Sequence, residues 1–168
     1  MQEIPAPLIY VPALHKKMDK ILVCMGGLEY AASVEDHAIY LARHTGASLV
    51  ILHIVERIYY NYPTASQIQA HWKDVLKTDT PQGHSLRRAL KKAREAGITA
   101  EVKIRHGDII HEIFSEVNQG GYDLLAMGSP KSSHSLHHLY TPNVTAEIAE
   151  NVSIPVLTVQ AGYPVIFK

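Results

Sequence analysis

The sequence is poor in cysteine, in net charge and in long apolar runs, and each shortage excludes a class of protein. Cys24 is the only cysteine, so no intramolecular disulfide can form and no zinc site can be built from cysteines. A reducing, cytoplasmic setting fits this usage. Sixteen Lys and Arg balance sixteen Asp and Glu, which argues against a chain whose main task is gripping nucleic acid or an anionic membrane surface. No apolar run approaches the roughly 18 residues of a spanning helix, so membrane insertion is not expected. The stretch before Leu14 has no basic leader region and is interrupted by Pro5, Pro7 and Pro12, so it does not read as a signal peptide. The enzyme signatures G-x-S-x-G, G-x-x-x-x-G-K-[ST] and G-x-G-x-x-G are absent. No spacing of Asp, His and Ser selects a triad, so no catalysis is expected.

What remains is a chain of 168 residues, 46% of them apolar. A single domain of this size buries roughly 70% of its unfolded surface and needs neither metal nor disulfide to fold. Short β-rich runs alternate with helical ones. Lys20 to Met25 is a compact apolar strand ending at Gly26-Gly27. Residues from about Tyr30 to Thr45 carry Val34, Ala38 and Leu41 at helical spacing, and Gly46 stops them. Ala47 to Val55 is apolar nearly throughout, as in a parallel strand covered on both faces. A tyrosine-rich loop (Arg57 to Thr64) precedes a helical region that the pattern breaks at Thr80-Pro81-Gln82-Gly83. The helix resumes from Ser85 to Ala96. Thr99 to Arg105 is a third strand. Asp108 is the natural N-cap of the next helix, which ends at Gly120-Gly121. Tyr122 to Met127 and Pro155 to Val159 are the fourth and fifth strands, with a helix from about Thr141-Pro142 to Asn151 between them.

The order β-α-β-α-β-α-β-α-β predicts an open, five-stranded parallel α/β sheet with helices on both faces. Ligands of such sheets bind beyond the carboxyl ends of the strands, where strand order reverses. Residues 19–160 form the domain, 1–18 an N-terminal arm that lies over the body or a partner, and 161–168 a tail.

Several segments together carry a family resemblance. They are Lys20-Ile21-Leu22-Val23, Leu52-His53-Ile54-Val55, Gly107-Asp108, Tyr122-Asp123-Leu124-Leu125-Ala126-Met127-Gly128-Ser129 and Ile154-Pro155-Val156-Leu157-Thr158-Val159. In this order and spacing the chain resembles the universal stress protein family, a Rossmann-like α/β fold. The resemblance implies a homodimer in which final strands pair across the dimer axis, which would place Val156, Leu157, Thr158 and Val159 at the contact. It implies a regulator or effector of stress survival rather than an enzyme. One branch of the family binds ATP at the ends of the first and fourth strands; another does not.

The resemblance places the nucleotide candidates at Met25, Gly26 and Gly27, at Ile54, at Met127, Gly128, Ser129 and Lys131, and at Asn143, Val144 and Thr145. The ATP-binding branch carries an acidic residue just after the first strand, and Gly26 stands there. It also carries G-x-x-G, nine residues, then G-S or G-T. Gly128 matches the first glycine, Lys131 takes the second place, and Pro142-Asn143 take the last pair if the loop has one extra residue. Glycines let backbone amides approach phosphates closely. The Cβ of Lys131 crowds that approach, and Pro142 has no amide to give. The expectation is a degenerate site without a resident cofactor, in a protein that acts through contacts with another protein. The alternative is binding of ATP or another adenine nucleotide through Lys131, loop hydroxyls and the helix end at Thr141.

Other features read as structural. His134, His137 and His138 have the spacing of metal ligands if their loop is helical, so a histidine-loop metal-binding module is a further alternative function, but no carboxylate between 128 and 140 orients them and a solvated loop is the reading preferred. His53 reads as a core histidine bonded to backbone and Cys24 as packing. Arg87, Arg88, Lys91, Lys92 and Arg94 form a basic helix face that reads as solvated. Tyr59, Tyr60 and Tyr62 read as packing or contact residues.

Overall fold

The computed structural model describes residues 6–13, 17–26, 31–56, 71–129, 144–160 and 165. In chain order the elements are β1 (Leu8–Tyr10), β2 (Lys20–Cys24), α1 (Ala31–Thr45), β3 (Ser48–Glu56), a 3-10 helix (Trp72–Lys77), α2 (Pro81–Glu95), β4 (Ala100–Gly107), α3 (Ile109–Gly120), β5 (Leu124–Ser129), α4 (Val144–Asn151) and β6 (Val156–Gln160). Among the described residues they form one sheet of order β1-β6-β5-β2-β3-β4. The five expected strands are all present and parallel. The sixth strand, β1, corrects the expected count: it pairs antiparallel with β6 at the sheet edge. Three residues without a discernible period gave no local strand signal; the pairing edge of β6 makes them a strand.

Alternation along the strands splits the core in two. Ile21, Val23, Leu49, Ile51, Leu124 and Ala126 face α1 and α2, where Val34, Ala38, Leu86, Ala89 and Ala93 meet them. Leu22, Val50, Leu52, Leu125 and Met127 face α3 and α4, packing with Ile113, Val117 and Ile148. Both faces are covered, which explains strands with little polar alternation.

Local signals set the helix ends. Asp108 caps α3, its carboxylate accepting from the His111 amide at 2.9 Å. Gly121 closes α3 in the left-handed region (φ 62°), where a side chain would be strained. The expected break at Thr80-Pro81-Gln82-Gly83 is instead the start of α2. Thr80 is the N-cap, accepting from the Gly83 amide at 3.1 Å, and Pro81 occupies the first turn, where its missing amide costs nothing.

The basic face of α2 is engaged with the body to a degree the sequence pattern did not show. Arg87 donates to the carbonyls of Leu76 (2.6 Å) and Thr78 (2.9 Å). Arg88 and Lys92 reach Glu35 of α1, and Lys92 also pairs with Asp36. At the opposite end of the strands, Asp123 accepts from the amides of Asp19 (2.9 Å) and Lys20 (3.0 Å), and Lys20 donates to the Gly120 carbonyl at 3.0 Å. These bonds fix the register of β2 against β5.

Candidate functional site

Strand order reverses at β2, which lies between β5 and β3. The chain leaves β2 in the direction of α1 and leaves β5 towards α4, on opposite faces of the sheet. In open α/β sheets such a reversal is where a ligand crevice forms, which here means beyond the carboxyl ends of β2 and β5. The register Cys24↔Met127 sets Met25-Gly26 beside Gly128-Ser129.

Met25 is buried and held twice. Its amide donates to the Leu52 carbonyl at 2.9 Å, and its carbonyl accepts from Nδ1–H of buried His53 at 2.8 Å. That bond requires the tautomer with a proton on Nδ1. His53, expected to be a core histidine bonded to backbone, is one, and its partner is the residue that leads into the crevice. Gly26 is exposed at the end of this support. Met127 is buried on β5, and Gly128 and Ser129 pair with Val159 and Gln160 of β6. At the N-terminus of α4 the Thr145 hydroxyl donates to the Gly128 carbonyl at 3.3 Å, so this helix end sits against the last residues of β5. Its dipole favours negative charge there. Val144, the first residue of α4, is half-buried. Ile54 lies on β3, half-buried against the α3–α4 side of the core.

Met25, Gly26, Gly128 and Thr145 thus share one end of the sheet, with Ile54 one strand over. Gly27, Lys131 and Asn143 lie outside the described residues, as do His134, His137, His138 and the tyrosines at 59, 60 and 62. Among the described residues no group of three or more His, Cys, Asp or Glu side chains is placed to hold a metal. Cys24 packs against the α3–α4 side of the core, and burial, with a smaller push from the Glu116 charge, raises its thiol to about 12. A thiol raised this far carries little thiolate near neutral pH.

Val156, Leu157 and Thr158 pair on one side with β5 and on the other with β1: Tyr10 lies opposite Val156, Ile9 opposite Leu157 and Leu8 opposite Thr158. Covering the sheet edge was one role the sequence left open for the N-terminal arm; that the arm does so as a strand, on β6, was not expected. The available signal was the uncharged stretch from Ile4 to Leu14. Sequence reasoning missed that His53 supports the β2 exit; the signal was a histidine in an otherwise apolar strand next to β2.

A second polar cluster lies under α3. Glu116 is buried, with Lys103 (2.8 Å) and Tyr122 (2.5 Å) donating to Oε1 and Arg105 (2.8 Å) donating to Oε2. Arg105 also binds Glu112 (2.6 Å) and Ser115 (2.9 Å). Its partners lie on the adjacent strand and helix, so it is a structural tie rather than part of the crevice.

No helix among the described residues is long and apolar enough to cross a membrane. Comparison with known protein families matches residues 17–160 to the universal stress protein family. The universal stress protein YxiE of Bacillus subtilis (strain 168) is 26% identical over 147 residues, spanning 84% of this chain and 99% of that protein. The solved structure of the universal stress protein UspA from Lactobacillus plantarum superposes with a TM-score of 0.68 at 18% identity, covering 86% of this chain and 99% of that one. A universal stress protein solved in complex with cAMP superposes with a TM-score of 0.62 at 21% identity, covering 88% of this chain and all of that one (100%). The five parallel strands wound about the β2–β5 crevice and the match over 17–160 lead to one conclusion: this chain belongs to the universal stress protein family.

Proposed function

We propose that this chain is a stress-response regulator without a catalytic step. It acts in the cytoplasm as a homodimer, through contacts with other proteins, and its nucleotide crevice is weakened. The proposed domain is 19–160, with 1–18 as arm and 161–168 as tail, and Val156, Leu157, Thr158 and Val159 lie at the dimer contact.

The observation that carries the weakened crevice is Gly26. It is exposed where β2 opens beside Gly128, and it brings no carboxylate to a nucleoside. The sequence adds Lys131 and Pro142 where the ATP-binding branch has glycine. Each charge-assisted hydrogen bond is worth roughly 1.5–3 kcal/mol. Loss of two costs about 3–6 kcal/mol, which moves a micromolar site towards millimolar.

A second reading, an adenine-nucleotide sensor, is favoured by the helix end at Thr145 lying against Gly128. Calorimetric titration with ATP, ADP, AMP and cAMP separates the two. The first reading expects dissociation constants towards the millimolar range, and low-micromolar affinity for any of the four overturns it. The variant Gly26→Asp tests the missing carboxylate directly: regaining one such bond tightens ATP by about ten-fold or more.

A further inference from the structure

The N-terminal strand carries an inference about how two copies meet. β1 is a strand of three residues, and its neighbours in the sheet are set by a ladder with β6 alone. Its side chains join neither half of the core. Leu8, Ile9, Tyr10 and the following Val11 are 44–55% exposed, and among the described residues these four are the large hydrophobics that lie exposed. They sit within the uncharged stretch Ile4–Leu14, so bringing two copies of it together incurs no charge repulsion.

The tether has length to spare. Tyr10 is level with Val156, which is level with Leu125 and so with Leu22, while the chain enters β2 at Lys20. Three strand spacings across and two residues down amount to about 16 Å. The residues between Tyr10 and Lys20 can span roughly 30 Å when extended. A short strand outside the core can leave its own sheet at small cost, and a tether of this reach permits pairing elsewhere without itself driving it. A second copy offers it an identical edge.

We propose that β1 is an exchanged strand: in the homodimer, β1 of each copy lies on β6 of the other. The ladder keeps the same pairs, Leu8 with Thr158, Ile9 with Leu157 and Tyr10 with Val156. This rests on the dimer reading above and deepens it. Val156, Leu157 and Thr158 meet the second copy through its β1 rather than through its β6. The crossing tethers bring the apolar stretches of both copies together and cover the side chains that one copy leaves half in water.

The test is a full-length Leu8→Cys/Thr158→Cys variant, oxidised after its mass has been measured by light scattering under reducing conditions. Paired positions of an antiparallel ladder lie within disulfide reach. A Cys24→Ala background removes the one native thiol, so that only the introduced pair can close. Exchange expects a dimeric mass and a covalent dimer on non-reducing electrophoresis. A dimeric mass with the bond closed within one chain overturns exchange and leaves the dimer reading standing. A monomeric mass with an intrachain bond overturns both. No bond at all removes β1 from the β6 edge and overturns the proposal. A second variant, Ile9→Pro/Tyr10→Pro, guards against a misfolded cysteine pair. Neighbouring amides point to opposite sides of a strand, so one of the two prolines removes the amide facing β6. The mass then halves under exchange, and an unchanged dimer refutes it.

Discussion

Replacing Glu116 by Gln tests how the α3 side of the sheet is held. The carboxylate side chain is 5% exposed and receives three donors: Lys103, Tyr122 and Arg105. Burial alone pushes such a carboxyl up. The hydrogen bonds from Lys103, Tyr122 and Arg105, with the Lys103 charge, overcome this and hold it at about 2 against an ordinary 4.5. That difference corresponds to roughly 3 kcal/mol in favour of the ionised form. Glutamine keeps the shape, but its amide nitrogen must face a donor, Lys103 and Tyr122 on one side or Arg105 on the other. Breaking a buried pair from one side costs about 3–5 kcal/mol. The expected loss is therefore about 3 kcal/mol in denaturant unfolding at pH 7, and about 6–12 °C in Tm for a chain of this length.

The pH dependence supplies the sharper assay. A depressed carboxyl adds stability that is complete above its unfolded value and is lost as pH falls through its folded one. The gap between wild type and Glu116→Gln should hold from pH 7 to about 5, then shrink and close towards pH 2. A gap below about 1 kcal/mol at pH 7, or one that stays constant down to pH 3, would refute the assignment of this charge as a net stabiliser.

Glu35 should behave in the opposite sense. Burial, only partly offset by Arg88 and Lys92, raises its carboxyl above the ordinary value. The folded state then holds the proton more tightly than the unfolded one, and this contribution declines as pH rises through the carboxylate range. Glu35→Gln is expected to leave stability at pH 7 unchanged or higher in urea unfolding; a loss above about 2 kcal/mol contradicts this. Asp108→Ala removes the α3 cap and should cost about 1 kcal/mol in chemical denaturation, with Asp108→Asn retaining most of it. In thermal melts, 1 mM ATP should raise Tm by about 1 °C if its dissociation constant is near millimolar. A micromolar site would stabilise by about 4 kcal/mol and raise Tm by roughly 8–16 °C.

What was legible in the sequence was what local chemistry decides. Asp108 and Gly121 bracket α3 because a cap and a left-handed glycine act within one turn. The buried strands were legible because both faces of β2, β3 and β5 are covered, leaving apolar runs. Pro81 misled because the same missing amide that breaks a helix interior starts a helix. β1 was not legible as a strand, since its partner edge lies about 150 residues away. Glu116 had no role legible in the sequence, since nothing local marks a helical glutamate as buried. Only the fold brings Lys103 and Arg105 of β4, and Tyr122 beyond α3, onto it. At the crevice, Gly26 and Gly128 were legible through the family pattern, whereas the support of Met25 by His53 depends on strand register.

That support bears on how a scaffold can keep its fold while its affinity for a ligand changes. The end of β2 is fixed by the Leu52 carbonyl and His53, and the end of β5 by pairing with β6 and by the Thr145 hydroxyl. Every one of these bonds is made by the sheet and its flanking helix, and none needs a nucleotide. The crevice backbone is therefore preorganised by the fold itself. A change at residue 26, exposed at the end of β2, alters the group presented there without removing any of these bonds. Stability and ligand affinity are then separate variables in this chain. A regulator that works through its surface can retain the crevice as a by-product of strand order, since a reversal of order at β2 opens one whether or not anything occupies it.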